Sequence, residues 1–247
     1  MGKVMMSGVA PNMTTPGYIR ATDIAVGSIV KLKERYVDVE YIVINQGIPK
    51  NSSLYDDSCD GVWILRKEIF DKKTLTVTGS SSTYGYVELN LDDCIQSEFY
   101  DVVFDSKTKS AIKEVRIPYV KSTNPLSINS GKNGLLVNAF PLSRYEVGIT
   151  SEGINTGARL EYFDESDDVQ LNSKRRATYQ GKLNNWSLRD VYWFSGQSSN
   201  RMSLVDTDGT SLGATGGTNV GIRPAMILSK TALFDKNLVL KGMGSNG

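Results

Sequence analysis

Apolar and polar residues alternate in two neighbouring stretches near the start of the chain. Gly27–Glu34 and Val37–Gly47 place β-branched and other apolar residues at every second position, and only two residues separate the stretches. This period of two predicts a hairpin of half-buried strands. Gly61–Phe70 predicts a third strand after a turn-rich segment, and Val220–Leu228 predicts an apolar strand near the end of the chain.

The middle of the chain changes to helical signals. Leu91–Val103 is predicted as a helix with two aspartates in its first turn, where they favour the helix dipole. A second helix is predicted over Asp105–Val115, with an N-cap at Asp105 or Ser106 and Pro118 beyond its end. Strands first, helices in the middle and strands again at the end predict an α+β fold with mostly antiparallel strands, two helices and long loops.

Residues 1–23 are rich in Met, Gly, Thr and Pro and have no periodicity, which predicts an N-terminal arm or linker. Residues 24–247 are predicted to form one domain. The N-terminus resembles neither a secretory signal nor a myristoylation site, because Met6 stands where Ser or Thr is required. We therefore expect synthesis in a bacterial cytoplasm without export. No apolar run approaches the length of a membrane helix, so no membrane insertion is expected.

Composition excludes several classes of chemistry. The net charge of +1 argues against binding to nucleic acid or to an anionic membrane. The chain has no histidine, which removes Ser-His-Asp and Cys-His catalysis and the commonest ligand of transition metals. Its two cysteines, Cys59 and Cys94, lack the spacing of a metal site. Buried free thiols are favoured, and a disulfide between the two cysteines is the alternative.

Three short motifs offer weak signals for cations or phosphate. The acidic residues between Asp164 and Asp168 lack the order of a calcium loop, so a solvated charged loop is favoured. Asp206–Gly209 is favoured as a hairpin turn. Ser130–Gly134 departs from the phosphate-binding loop pattern at Asn133. No metal and no cofactor are predicted.

The segment Trp186–Gly209 combines four aromatic residues with many small polar ones. Trp186 alternates with polar neighbours and is predicted to lie in the core. Tyr192, Trp193 and Phe194 are consecutive, so on a strand at least one of them must point away from the core. From Ser195 to Asn219, 16 of 25 residues are Ser, Gly, Thr or Asn. Rigid rings among small polar residues are typical of adaptable binding surfaces, although a core with an ordinary loop remains an open alternative.

Several segments together resemble a domain family of unassigned function that is frequent in gut-bacterial phages, prophages and surface proteins. They are the ending VGIRPAMIL, the preceding WSLRD, and VGSIVKLKE, VEYIVINQG, SLYDDSCDGVWILRKEIF, IKEVRIPY and YEVGIT, between about Val26 and Leu228. The tail of that family is similar to the formylglycine-generating variant of the C-type lectin fold. Variable proteins of diversity-generating retroelements share this fold, and their segment before the last strand is rewritten at adenines.

The resemblance implies a C-type lectin-like fold in which exposed positions from Asp190 to Asn219 bind a ligand. Trp186, Leu188, Gly221, Arg223 and Pro224 would form the scaffold. The expected ligand-binding residues are Asp190, Tyr192, Trp193, Phe194, Gln197, Ser199, Asn200, Arg201, Asp208, Thr210, Thr215 and Asn219. The catalytic cysteines of formylglycine-generating enzymes and the calcium motifs of animal lectins have no counterpart here. The resemblance therefore implies neither catalysis nor calcium-dependent sugar binding.

These observations lead to three hypotheses of function. In the first, the chain is a phage virion protein at a tail, fibre or head surface, or a bacterial surface protein if host-encoded. It would contact a glycan or protein ligand on the host cell or in mucus, form a homo-oligomer, and reach other virion proteins through its N-terminal arm. The second is a purely structural decoration or connector protein. The third is a glycan hydrolase with two facing carboxyl groups, one with a raised pKa.

Overall fold

Antiparallel strands dominate the structure, a computed structural model that describes residues 17–50, 53–76, 86–121, 127–150, 156–192 and 201–244. The predicted α+β class with mostly antiparallel strands is confirmed. In chain order the strands are β1 Ile19–Arg20, β2 Ile29–Glu34, β3 Val37–Gln46, β4 Val62–Arg66, β5 Asp71–Thr74, β6 Val115–Ile117, β7 Tyr119–Lys121, β8 Ser127–Asn129, β9 Leu135–Val137, β10 Ala139–Phe140, β11 Ala177–Tyr179, β12 Lys182–Asn184, β13 Trp186–Tyr192, β14 Arg201–Val205, β15 Ser211–Ala214, β16 Asn219–Ile222, β17 Ala225–Leu228, β18 Ala232–Phe234 and β19 Leu240–Met243.

Longer helices occupy the predicted region and one further place. The described chain also contains five 3₁₀-helices of three residues each, at Ala21–Asp23, Asp57–Cys59, Tyr86–Glu88, Gly131–Asn133 and Glu161–Phe163. The first predicted helix is a continuous helical segment made of α1 (Asn90–Asp93), a π-helix (Cys94–Tyr100) and α2 (Asp101–Val103). The second is α3 (Ser106–Ala111), and the predicted cap is confirmed because the Asp105 carboxylate accepts a hydrogen bond from the Thr108 N–H at 2.7 Å.

The second helix ends earlier than predicted. It stops at Ala111, and Ile112 forms a β-bridge with Leu228, so pairing with a strand ends the helix before Pro118. A further helix, α4 (Asp168–Arg175), was not predicted. The side chain of Asp167 caps it by accepting from the Gln170 N–H at 3.0 Å.

Two five-stranded sheets form the frame. The first has the order β10-β17-β4-β3-β2, and the second has the order β15-β14-β13-β16-β5. The chain passes directly from one sheet to the other at two places, from β4 to β5 and from β16 to β17. Since β4 pairs with β17 and β5 pairs with β16, a single bent antiparallel ladder joins the sheets.

The predicted strand Val220–Leu228 is therefore divided between the sheets. Its break falls at Arg223 and Pro224, where proline has no N–H to contribute to a ladder. In contrast, the predicted β2–β3 hairpin is confirmed, with paired residues from Ile29 and Ile42 to Glu34 and Val37.

The described end of the predicted N-terminal arm packs on the domain. Ile19 and Arg20 pair with β18, and Ala21 is fully buried. Residues 1–16 lie outside the described residues.

The core consists of two apolar clusters, one on each side of the second sheet. Met202 and Leu204 of this sheet belong to one cluster, and Trp186, Leu188 and Val205 belong to the other. The central strands β13 and β14 are thus buried on both faces. The core position predicted for Trp186 is confirmed.

Both cysteines are buried and unpaired, as favoured from the sequence. Among the described helices, none is long and apolar enough to cross a membrane.

Candidate functional site

An irregularity in β13 places charged residues in the interior. The pairing with β14 runs from Ser187 opposite Leu204 to Val191 opposite Met202, so three residues of β13 face one residue of β14. In a regular strand, successive side chains point to opposite faces. Here Leu188, Arg189 and Asp190 are all buried, since the bulge bends the strand and both faces are covered.

Arg189 forms a fully buried ion pair with Glu146. Its two Nη atoms donate to the two carboxylate oxygens at 2.5 and 2.6 Å, and both side chains are 0% exposed. Such a bidentate pair has a fixed relative orientation. Burial opposes the charge on Arg189, but the neighbouring Glu146 carboxylate outweighs burial and raises the pKa of Arg189.

All five N–H groups of Arg189 have acceptors. Besides Glu146, the guanidinium donates to the carbonyl oxygens of Pro118 at 2.8 Å, Pro141 at 3.0 Å and Thr156 at 2.9 Å. These carbonyls belong to three separate segments of the chain. A single side chain of β13 therefore fixes the position of three neighbouring segments.

The carboxylate of Glu146 is also fully coordinated. It accepts from the Tyr55 hydroxyl at 2.6 Å and from the Ser143 N–H at 2.8 Å. Tyr55 packs edge-on against Trp63, and its pKa is raised well above the usual value by burial and then by the charge of Glu146.

Asp190 lies beside this pair and is 1% exposed. Its carboxylate accepts hydrogen bonds from the Thr156 hydroxyl and from the Arg144 N–H. Burial raises the pKa of Asp190, against the lowering effects of the Arg189 charge and these hydrogen bonds. The expectation that Asp190 belongs to an exposed ligand surface is therefore wrong, because its side chain is buried and bound to Thr156 and Arg144. We call Tyr55, Ser143, Glu146, Thr156, Arg189 and Asp190 the polar base.

Four chain segments outside the described residues have their described flanks around β13. These segments are residues 77–85, 122–126, 151–155 and 193–200. Tyr86–Glu88, which follows the first segment, and Tyr119–Lys121, which precedes the second, both contact β13. Thr156 follows the third segment and donates to Asp190. The fourth connects β13 to β14, so all four flanks gather near the polar base.

The central predicted ligand residues belong to the loop end of the β13–β14 hairpin, where Tyr192 pairs with Arg201. Only the backbone of these two residues is described. Outside the described residues lie Trp193, Phe194, Gln197, Ser199 and Asn200.

Two further predicted ligand residues are exposed near β15 and β16. Thr215 directly follows Ala214, which pairs with Met202 beside the loop end. Asn219 begins β16 opposite Thr74.

Two other predicted ligand residues, Asp208 and Thr210, lie at the opposite, open end of the same hairpin. They belong to the turn between β14 and β15, in which the Asp206 N–H donates to the Thr210 carbonyl at 2.8 Å and Gly209 has a φ of 89°. The predicted hairpin turn at Asp206–Gly209 is confirmed. Both residues are exposed, but the length of β14 separates them from Arg201.

Two buried arginines, which we call the carbonyl clamp, hold the open end. Arg175 donates to the carbonyl oxygens of Val147 and Gly148 at 2.7 Å each, and to that of Gly209 at 3.4 Å. Burial lowers its pKa to about 10.

Arg223 is the second member of the carbonyl clamp. It donates to the carbonyls of Arg66, Lys67 and Arg175 at 2.9–3.2 Å and lies 4.8 Å from the centre of the Trp186 ring. Burial lowers the pKa of Arg223 to about 9. The scaffold residues implied by the resemblance, Trp186, Leu188, Gly221, Arg223 and Pro224, are all buried.

The acidic residues from Asp164 to Asp168 make local contacts. Asp167 caps α4, Glu165 pairs with Lys174 at 2.5 Å, and Asp164 lies 3.8 Å from Arg159. Within the ranges that the structure describes, no three Cys, Asp or Glu side chains are grouped so as to hold a metal ion.

Sequence reasoning missed Glu146, Tyr55 and Thr156. Their partners lie far away in the chain, 43 residues for Glu146 and Arg189 and 91 for Tyr55 and Glu146. The one available signal was the presence of Arg and Asp in the otherwise core-forming stretch WSLRD.

The fold and the site define an α+β domain in which an antiparallel ladder joins two five-stranded sheets and a charged pair is buried at the β13–β14 hairpin. Residues 60–230 match the family described as a domain of unknown function, DUF6273, and the chain belongs to this family. The match contains both direct passages between the sheets and the whole β13–β14 hairpin. No curated protein and no solved structure showed significant similarity to the chain.

Proposed function

We propose that this protein is a phage virion-associated binding protein with a C-type lectin-like fold, located at a tail, fibre or head surface. It contacts a host-cell or mucosal ligand without calcium and without catalysing a reaction. The binding face is the loop end of the β13–β14 hairpin, with Tyr192, Trp193 and Phe194 as aromatic anchors and Gln197, Ser199, Asn200 and Arg201 as polar contacts. Thr215 and Asn219 extend it.

The position of the described flanks of four segments around β13 is the observation that carries this proposal. In residues 77–85, 122–126, 151–155 and 193–200, 18 of 27 residues are Ser, Thr, Gly or Asn. Small polar residues beside aromatic anchors are characteristic of surfaces that adapt to ligands. A rigid support at the ends of such segments lowers the cost of ordering a binding surface.

The polar base supplies such a support. Its donors and acceptors bind one another, so they hold the segment ends without reaching the ligand. Glu146 and Asp190 are buried carboxylates that already accept from protein donors, which argues against their use as a hydrolytic pair.

Membership among the variable proteins of diversity-generating retroelements is part of the proposal. It predicts that related sequences differ at adenine-containing codons within residues 192–201 and 215–219. Trp186, Arg189 and Asp190 should stay constant in such a set, because their side chains are buried. Sequencing the gene from a propagated population tests this point.

A binding assay tests the proposed function directly. The labelled full chain is incubated with a panel of intact gut-bacterial cells and with immobilised mucin. We expect binding to at least one probe, a loss of about tenfold or more in the W193A/F194A double variant, and no change on chelation of calcium. The matched control is Tyr36→Ala, because Tyr36 is an aromatic residue 93% exposed on a different hairpin.

Comparison of the W193A/F194A variant with the Tyr36→Ala control distinguishes the outcomes. Equal binding by the double variant and wild type would contradict the assigned face. Absence of binding to every probe would contradict the receptor role. Circular dichroism of each variant establishes that the fold is retained.

A structural role in the virion is the second candidate, and the tip of the β2–β3 hairpin favours it. Tyr36, Val37 and Val102 are exposed there, and the Arg35 N–H donates to the Val103 carbonyl at 2.7 Å. A groove of about 290 Å³ lies beside them, lined by Glu34, Arg35, Val37, Val39, Phe70 and Val103. This role predicts that Tyr36→Ala reduces incorporation into particles while the W193A/F194A variant does not.

A further inference from the structure

Strand β15 is an exposed edge of the second sheet. Ser211–Ala214 pairs with β14 over its whole length, from Val205 opposite Ser211 to Met202 opposite Ala214. In the described chain, no strand pairs with its other side. An edge strand presents backbone N–H and C=O groups that another strand can bind.

The other edges of the two large sheets are protected. In the first sheet, β2 contains Lys31 and Lys33, and the Lys31 N–H already donates to the Leu238 carbonyl at 2.8 Å. The opposite edge, β10, consists of two buried residues. In the second sheet, β5 contains Asp71, Lys72 and Lys73.

Charged side chains discourage pairing between strand edges. Strand β15 has the sequence Ser-Leu-Gly-Ala, without a charge or a proline. Its edge therefore lacks the usual protection.

An apolar side chain continues the core to this edge. Leu212 lies directly opposite Leu204, so both side chains lie on the same face of the sheet. Leu204 is fully buried, whereas Leu212 is 41% exposed. The apolar face thus ends on a half-covered leucine, which a further strand would cover.

We propose that β15 pairs antiparallel with β15 of a second copy of this chain, around a two-fold axis perpendicular to the sheet. Such an axis keeps each side chain on its own face, so Leu212 can lie opposite its counterpart and Ser211 opposite Gly213 of the second copy. No like charges are brought together across the pair. The sheet that contains β15 in one copy and the same sheet in the second copy then form one continuous sheet of ten strands. This inference does not depend on the proposed ligand.

Sedimentation of the full chain with one charge substitution tests the pairing. Wild type should be a dimer, and Leu212→Lys should raise its dissociation constant by about tenfold or more, because it places two positive charges opposite each other and removes the leucine contact. The control is Leu183→Lys on β12, because Leu183 is a leucine of similar exposure, 50%. It should leave the dimer unchanged.

A cysteine at the axis gives an independent measurement. Leu212→Cys should form a disulfide between two copies under mild oxidation, whereas Leu183→Cys should not. The native thiols do not interfere, since burial raises the pKa of Cys59 to about 12 and that of Cys94 to about 11. Mass spectrometry identifies the linked residues.

Three results would overturn the proposal. They are a monomeric wild type at the highest concentration that stays in solution, a dimer insensitive to Leu212→Lys, and a cross-link that forms equally well from position 183. The cell-binding assay is read separately, so failure of either proposal leaves the other intact.

Discussion

Buried arginines hold both ends of the β13–β14 hairpin, but they use different acceptors. At the loop end, Arg189 forms a bidentate pair with Glu146, and its remaining N–H groups bind three carbonyls. At the open end, every hydrogen bond that Arg223 donates within the described chain goes to a carbonyl oxygen. The same type of side chain is thus charge-paired at one end and bound to neutral dipoles at the other.

The difference shows where each end is vulnerable. Removal of one partner from a buried ion pair leaves an uncompensated charge, which costs far more than the pair contributes. The carbonyl clamp distributes its charge over several dipoles, most of them main-chain carbonyls, and one side-chain acceptor, the Asn172 amide oxygen, lies 2.9 Å from Arg175. The loop end therefore depends on a few side chains, and the open end depends on the path of the main chain.

Glu146→Gln should have the largest effect on stability. It leaves the Arg189 guanidinium charged, fully buried and without a carboxylate, so we expect a loss of about 3–5 kcal/mol in the free energy of unfolding. Urea denaturation measures it. The exposed pair of Lys67 and Glu40 gives the control, and Glu40→Gln should cost at most about 1 kcal/mol. Similar losses in the two variants would contradict the importance of the buried pair.

Gly209→Ala tests the main-chain path at the open end. Gly209 has a φ of 89°, and an added Cβ would overlap the carbonyl oxygen of Asn172. We expect a loss of about 3 kcal/mol from the left-handed backbone together with the clash. Gly181→Ala isolates the backbone contribution, because Gly181 has a φ of 76° and no atom lies within 4 Å of its added Cβ. That control should cost about 1 kcal/mol in the same thermal or urea unfolding experiment.

Tyr55→Phe removes one neutral donor from the polar base and should cost about 1–2 kcal/mol at neutral pH. Burial raises the pKa of Tyr55 in the folded chain, so the stability that depends on its neutral form is complete below pH 10 and decreases as the pH rises further. The difference in the free energy of unfolding between variant and wild type should therefore narrow between pH 9 and pH 11, as measured by urea denaturation. A constant difference over this range would show that Tyr55 does not stay neutral.

Asp190→Asn should have the smallest effect, less than about 1 kcal/mol at pH 7. The amide oxygen can accept from the Arg144 N–H and the amide nitrogen can donate to the Thr156 hydroxyl, so both contacts survive. Burial raises the pKa of Asp190, and its ionised form therefore destabilises the fold as the pH rises above the carboxyl group's ordinary range. Urea unfolding at pH 4 and pH 7 measures this effect. The free energy of unfolding of the variant, relative to that of wild type, should be higher at pH 7 than at pH 4.

Short-range patterns predicted the elements whose contacts are local. The β2–β3 hairpin, the Asp105 cap and the turn at Asp206–Gly209 each depend on residues within a few positions of one another. Helix α4 was missed because its eight residues include only two apolar ones, Val169 and Leu171, which are too few to show a helical period.

The candidate site could be predicted only in part. The resemblance and the composition pointed to the hairpin around Tyr192, but the range of exposed positions that the resemblance implies included Asp190, which is buried. A bulge has no reliable local signal, and the partners of Arg189 lie 33 to 71 residues away in the chain. The contacts of the polar base therefore follow from the tertiary structure and could not be predicted from the local sequence.

Main-chain carbonyls as acceptors have a consequence for how this protein can change over generations. Each amino acid brings the same carbonyl oxygen, so a substitution at Val147 or Thr156 leaves the oxygen that Arg175 or Arg189 binds in place. The segments that begin beside these anchors can accept new side chains without losing their attachment. Evolutionary change at the surface is in this way uncoupled from the stability of the fold, and a lineage can try many surfaces on one unchanged scaffold.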